Sequence, residues 1–282
     1  MDILANNLLA QLMLKTRIIT AVILIPIVLL ILFYLPPMPF LLLTGLVSLW
    51  GAWEWSHIMQ MQKKSLRIAY VVLIAIVLYE ALYISPLTIF FTAFIFWILA
   101  SVLIFIYPRG KQYWSRSVLL RGLMGVLVLI PCWAAINYVR DQKEGAYGLL
   151  FLFVLIWGAD SVAYFVGKKW GKTKLAALVS PGKSIQGAVG AAIFAIVMPF
   201  LLLWSFNTPI DVCLFAVLLS LVTVIFSIIG DLFESMHKRE AGLKDSGQLL
   251  PGHGGLLDRI DSLTAAAPIF TLGGMLLGVY LH

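Results

Sequence analysis

The sequence predicts an all-α, polytopic integral membrane protein with about nine transmembrane helices. Three observations carry that expectation. Of 282 residues, 62% are hydrophobic and only 12% are charged, whereas a soluble domain carries about 25% charged residues. The mean hydropathy is +1.00. Apolar runs at 18–35, 40–59, 68–84, 87–107, 118–139, 147–166, 185–206, 212–229 and 263–281 each approach the roughly 20 residues that cross a bilayer as a helix.

The first run is followed by Leu35-Pro-Pro-Met-Pro rather than a small-residue cleavage site, so it reads as an uncleaved helix and not a signal peptide. The second and third runs contain Glu54 and Glu80. A charge at the centre of a span costs about 2.5 to 3.5 kcal/mol on insertion scales, so each needs a partner or water, and structural pairing between helices is the reading taken. Cys132 and Cys213 fall in spans without CxxC or CxxH context and read as buried small hydrophobes, silent about redox compartment. The nine Trp and ten Tyr, with His57, read as interfacial or packing residues. Gly274-Met-Leu-Leu-Gly278 in the last run reads as close helix packing, with a homodimer as one form of it, rather than as a ligand site.

Alternating spans would place 18 of the 20 Lys and Arg on one side, leaving only Arg140 and Lys143 opposite. By the positive-inside rule that side is cytoplasmic, the chain lies in the cytoplasmic (inner) membrane and the C-terminus is outside. The net charge of +7 thus reflects topology and a site for an anionic ligand, not nucleic-acid binding. One membrane domain is expected. Residues 1–140 hold five mainly hydrophobic spans, and residues 145–282 hold four spans and nearly all the polar residues at the membrane edge.

Three polar clusters occupy that second half. In the first, Asp160 and Tyr164 are four residues apart and share a helix face. Asp160 lies about 12 Å of helix before Lys168. An ion pair with a lysine of the next loop and a ligand or metal role are both open for it. The second cluster is Ser180-Pro-Gly-Lys183-Ser184-Ile-Gln186-Gly187. Its GKS does not make a P-loop, since that motif needs a glycine at 177, where this chain has Ala177, and a preceding strand. Lys183 and the free N–H groups at a helix start can still hold an anion, while capping alone would explain Ser180 or Ser184.

The third cluster is the richest. On a continuing helix Asp231, Glu234, Ser235 and Lys238 share one face. Arg239, Lys244 and Asp245 follow, and Asp258 and Asp261 stand three apart at the start of the last span. Magnesium suits such a site, because it takes oxygen ligands and is held by one or two carboxylates plus substrate phosphates. Lys238, Arg239, Lys244 and Arg259 would clamp phosphate oxygens. Gly252, Gly254 and Gly255 would bring backbone N–H groups close to a phosphate. The alternative is a salt-bridged loop with Asp261 capping the last span.

The runs Ser235-x-x-Lys238-Arg239-x4-Lys244-Asp245 and Gly247-Gln-Leu-Leu-Pro251-Gly-His253-Gly254-Gly255-Leu-Leu-Asp258-Arg259-Ile-Asp261 resemble the signature of the CDP-diacylglycerol synthases, or phosphatidate cytidylyltransferases. The family's Asp-x-x-Ala-Tyr-Phe-x-Gly and Ser-Pro-x-Lys elements look present at 160–167 and 180–183. The resemblance implies transfer of a cytidylyl group from CTP to phosphatidate with Mg2+, to give CDP-diacylglycerol and pyrophosphate. It also implies Asp231 and Asp258 as the metal ligands, and a second, monovalent cation such as K+ is compatible with it. Gln186 and His237 depart from the family's usual Glu and apolar residue, which counts against a metal or proton role at 186. His253 fits an orienting donor or leaving-group contact better than a base, because a phosphatidate oxygen is already ionised near neutral pH. Asp160, Lys183, Ser184, Ser235 and Asp261 complete the expected substrate contacts. Cytidylyl transfer to another lipid phosphate is the nearest alternative, and an ion-coupled transporter built on Glu54, Glu80 and Asp160 is the alternative from another class.

Reporter fusions should place the loops at 168–184 and 231–261 in the cytoplasm and His282 outside. A reporter at 246 that scores outside overturns this arrangement.

Overall fold

The computed structural model describes residues 22, 24–249 and 254–278. Among them the chain forms α1 (Leu24–Tyr34), α2 (Pro37–Ile58), α3 (Lys64–Ala81), α4 (Pro86–Ile106), α5 (Val118–Arg140), α6 (Gly145–Trp170), α7 (Ile185–Ser205), α8 (Ile210–Glu240) and α9 (Leu257–Leu276). Each corresponds to one predicted apolar run. Five of them, α4 to α8, are long and apolar enough to cross a membrane. α1 is short, and the start predicted for it at 18 lies outside the described residues.

The outer surface is apolar, as a bilayer requires. Phe91, Ile95, Leu99 and Val102 form a stripe along α4 and are each at least half exposed, a contiguous patch that water would not tolerate but lipid does. Inside, Phe233 of α8 packs edge-on against Phe96 and Trp97 of α4, at 5.5 Å to each ring centroid, and stacks on Trp55 of α2 at 6.3 Å. Such pairs add about 0.5 to 1.5 kcal/mol each beyond area burial. His237, one turn later, sits in the same cage against Trp114 at 4.5 Å and Phe233 at 4.4 Å, with Nδ1 2.9 Å from the Phe233 carbonyl. Cys132 and Cys213 are buried free thiols.

Glycines set the closest crossings. A side chain at Gly230 would meet the Asp261 carbonyl and Ala265, so α8 and α9 touch backbone to backbone there. One at Gly187 would meet the Ala163 carbonyl, which does the same for α7 and α6.

Two sequence expectations change, and a third, the continuing helix that carries Asp231, Glu234, Ser235 and Lys238, is met. A two-stranded antiparallel hairpin, β1 (Lys174–Ala176) and β2 (Ser180–Ser184), joins α6 to α7. Its strands are too short and too irregular to show alternation, so no period-2 signal reveals them. Next, α8 runs eleven residues past the apolar run that predicts it, to Glu240. At 1.5 Å per residue its 31 residues reach about 46 Å, beyond the roughly 30 Å hydrocarbon core. Finally, Gly274-xxx-Gly278 is not a helix-packing stripe. Gly274 is buried within the chain, whereas Gly278 lies past the end of α9 at φ 70°, the left-handed residue that stops a helix.

Gly230→Ala should lower the melting temperature in detergent, overpacking of this kind costing about 1 to 3 kcal/mol. Gly182→Ala, where an added Cβ meets nothing within 4 Å, should leave it unchanged. Equal melting of the two variants would contradict the crossing.

Candidate active site at one end of the bundle

The end of α6, the hairpin, the start of α7, the end of α8 and the start of α9 converge, and they bring the three polar clusters into one site. Their approach is direct. Lys183 Nζ on β2 lies 2.6 Å from Asp231 Oδ2 on α8. Asp160 Oδ2 on α6 accepts from Ser262 Oγ on α9 at 3.5 Å, and Arg239 Nε donates to the Val179 carbonyl at 3.3 Å.

The hairpin is held from below. Gln186 Oε1 accepts from Lys172 N and Thr173 N at 3.1 and 3.2 Å, so the amide that replaces a carboxylate closes a turn. Ser184 caps α7, its Oγ accepting from Gly187 N at 3.1 Å, so the capping reading accounts for its position. Lys183, its neighbour, is left pointing at α8.

On α8, successive turns alternate carboxylate and donor. Ser235 Oγ donates to Asp231 Oδ1 at 3.2 Å. Three residues along, Lys238 Nζ pairs with Glu234 Oε1 at 3.0 Å and with Asp258 Oδ1 of α9 at 2.5 Å. All three side chains of that trio are at most 7% exposed. The single ammonium therefore serves two carboxylates, which is the condition under which burial of the charges is tolerated.

Asp258 is fixed on its other oxygen too. Oδ2 accepts from Ser246 N at 2.9 Å and Gly255 N at 2.8 Å, so the Gly255 N–H expected to face a phosphate is bonded to this carboxylate. Every one of these donors favours the ionised form. Gly254 is at φ 81°, and a side chain there would meet Asp258 Oδ2 and Asp245, which explains the glycine pair on both conformational and steric grounds.

Asp261 is not the cap of α9. The helix begins at Leu257, so Asp261 lies in its second turn, with Oδ1 accepting from Ser262 N at 2.7 Å. Lys244, Asp245, Arg239 and Arg259 are exposed around the rim. His253, Pro251 and Gly252 lie outside the described residues. No ion pair to Asp160 is seen among the described residues; its partner is Ser262. Among the described residues no three His, Cys, Asp or Glu groups come together as a ready-made metal site.

Glu54 finds partners other than the helix-to-helix pairing expected of it. Its carboxylate meets backbone N–H groups of the 246–257 loop, which no sequence pattern displays. Glu80 lies exposed near the far end of α3, about 24 Å of helix from Lys64. Glu54 instead serves the start of α9 and Asp160 bonds Ser262, so each of these two acids has its own partner.

A bundle of apolar helices that gathers carboxylates, lysines and arginines at one end has the donor set that suits phosphate-bearing ligands. The chain matches the model of the cytidylyltransferase family over residues 15–276 and belongs to that family. It is 40% identical over 282 residues to a phosphatidate cytidylyltransferase of Haemophilus influenzae, covering 92% of this chain and 98% of that one. It is 44% identical over 260 residues to one of Pseudomonas aeruginosa, covering 92% and 96%. A Staphylococcus aureus protein of the same name is 34% identical over 168 residues, covering 56% and 64%.

Removing Lys238 strands two buried carboxylates, so Lys238→Met should cost about 3 to 5 kcal/mol and lower the melting temperature sharply. Lys244→Ala on the rim should stay within about 0.5 kcal/mol of wild type. A Lys238 variant that melts like wild type would show that the trio is not what joins α8 to α9.

Proposed function

We propose that the chain transfers the cytidylyl group of CTP to phosphatidate, giving CDP-diacylglycerol and pyrophosphate for phospholipid synthesis. The observation that carries this reading is the meeting of Lys183 with Asp231 on the polar end of α8, in a chain of the cytidylyltransferase family. The site is proposed to face the cytoplasm in the inner membrane, where nucleotide is available.

A phosphatidate oxygen attacks the α-phosphorus of CTP, the new P–O bond forms, and the bond to the β-phosphate oxygen breaks as pyrophosphate leaves. The attacking oxygen is already anionic, so positioning and charge neutralisation matter more than a base. Lys183, Arg239, Lys244 and Arg259 supply positive charge to the phosphates, Arg in bidentate fashion. Lys238 is committed to Glu234 and Asp258, and its part is to keep Asp258 in place. His253 is assigned the orienting contact to the leaving group.

Mg2+ fits the donor set. Among the described residues, Asp160, Asp231, Glu234, Asp258 and Asp261 gather five carboxylates around the ammonium groups of Lys183 and Lys238, a set rich in hard, anionic oxygen. Asp231 and Asp258, each already beside a cation, are the residues proposed to hold the metal, and a monovalent ion such as K+ suits the three carboxylates that remain. Because Mg2+ is commonly held by one or two carboxylates plus substrate phosphates, no cage of three protein ligands is needed. When bound, the ion would offset the charge that builds on the phosphates as pyrophosphate departs.

Asp231→Asn and Asp258→Asn should each nearly abolish Mg2+-dependent pyrophosphate release from CTP and phosphatidate, and the double variant should be little worse than the worse single one. Purified protein in detergent, with and without chelator and with melting curves alongside, tests this. Near-normal, chelator-resistant turnover in a folded single variant overturns the metal assignment. Wild-type protein that releases no pyrophosphate in response to phosphatidate overturns the function.

A further inference from the structure

Glu54 is 3% exposed near the end of α2, and no lysine or arginine pairs with it among the described residues. Its four hydrogen bonds come from neutral donors. Oε1 accepts from Trp50 Nε1 at 3.1 Å and Leu256 N at 2.9 Å. Oε2 accepts from Ser246 Oγ at 2.8 Å and Leu257 N at 2.7 Å. Two of these donors open α9, whose own N-terminal residue Leu256 offers no side-chain cap. A helix start leaves its first N–H groups without intrahelical partners and carries partial positive charge. Glu54 answers both from a helix some two hundred residues away in sequence.

The same loop holds Asp258. Ser246 gives its hydroxyl to Glu54 and its backbone N–H to Asp258, while Gly255 N also bonds Asp258. A side chain at Gly247 or Gly255 would collide with the Glu54 carboxylate, so the loop and the acid are in contact with no slack. The two described ends of the loop, at Ser246 and at 255–257, are thus clamped between two carboxylates, one from α2 and one from α9, and Ser246 and Gly255 bracket His253 in sequence.

We infer that Glu54 is a positioning residue: it touches no reacting atom, but through Ser246 and the start of α9 it fixes where Asp258 and the glycine-rich loop stand. The inference rests on the cytidylyl-transfer reading for its kinetic consequence and on the geometry alone for its structural one. Gln keeps the size of Glu but turns one acceptor into a donor, so at least one of the paired N–H or O–H groups loses its partner.

The test uses the full chain in detergent with CTP, phosphatidate and Mg2+, together with amide hydrogen exchange. Glu54→Gln should lower kcat roughly tenfold to a hundredfold, change the KM for CTP by less than about threefold, and speed exchange at 244–249 and 254–257 while leaving α4 and α6 unchanged. Glu54→Asp, which keeps the charge, should recover part of kcat. Thr44→Val, which cuts the bond between α2 and Asn137 of α5, serves as a control expected to lower the melting temperature without altering kcat or loop exchange. Unchanged kcat and loop exchange in Glu54→Gln overturn the inference, as does exchange that rises equally in every helix. Faster loop exchange in Glu54→Gln, in a protein whose wild type shows no phosphatidate-dependent turnover, would support the clamp and reject the functional reading.

Discussion

The structure depends on one buried ammonium. Among the described residues, Lys238 is the cation that stands between Glu234 of its own helix and Asp258 of the next, and all three are nearly closed to solvent. Two carboxylates brought together in a low-dielectric space repel strongly, and a lysine between them turns that repulsion into a tie. The tie can form because Gly230, two turns earlier, lets α8 and α9 touch backbone to backbone. Glycine supplies the approach and lysine the attraction; neither alone would align the polar end of α8 with the start of α9.

Around that tie the site is assembled from short, locally closed pieces. Gln186 closes the turn under the hairpin, Ser184 caps α7, and Lys183 is left at the one point where it reaches Asp231. Arg67 shows the same economy on the other side. It stacks over Trp53 at 3.9 Å and donates to Ser56 Oγ, fixing the start of α3 to the end of α2 beside Glu54. The aromatic cage of Trp55, Trp97, Trp114 and Phe233 then seats α8 against α2 and α4, and His237 fits it as one more ring rather than as a proton carrier.

Much of this was legible before any coordinates. Apolar runs of span length marked the nine helices found among the described residues, because hydropathy is written residue by residue. Asp231, Lys238 and Asp258 stood out because charge is rare in this chain and i, i+3, i+4 spacing has one geometric meaning. What stayed hidden depends on long-range contacts. Glu54 looked like a charge in search of a cation, and its partners are backbone N–H groups, identical in every residue type. Asp261 looked like a cap because the last span was read as starting where the apolar run starts, whereas α9 begins six residues earlier, in polar sequence stabilised from α2. The hairpin was invisible because Gln186, not strand periodicity, holds its base.

The length of α8 has a consequence for where chemistry can occur. Residues 210–230 make about 31 Å of helix, close to the thickness of the hydrocarbon layer, and every functional group on the helix comes after them. On the proposed function, the helix is a ruler whose graduations begin where the apolar length ends: a lipid diffusing sideways in its leaflet would bring its phosphate to the height of Asp231, and a nucleotide would meet it from the aqueous side. Neither reactant would then have to leave its own phase, and the two would be joined along a surface without a passage being opened between them.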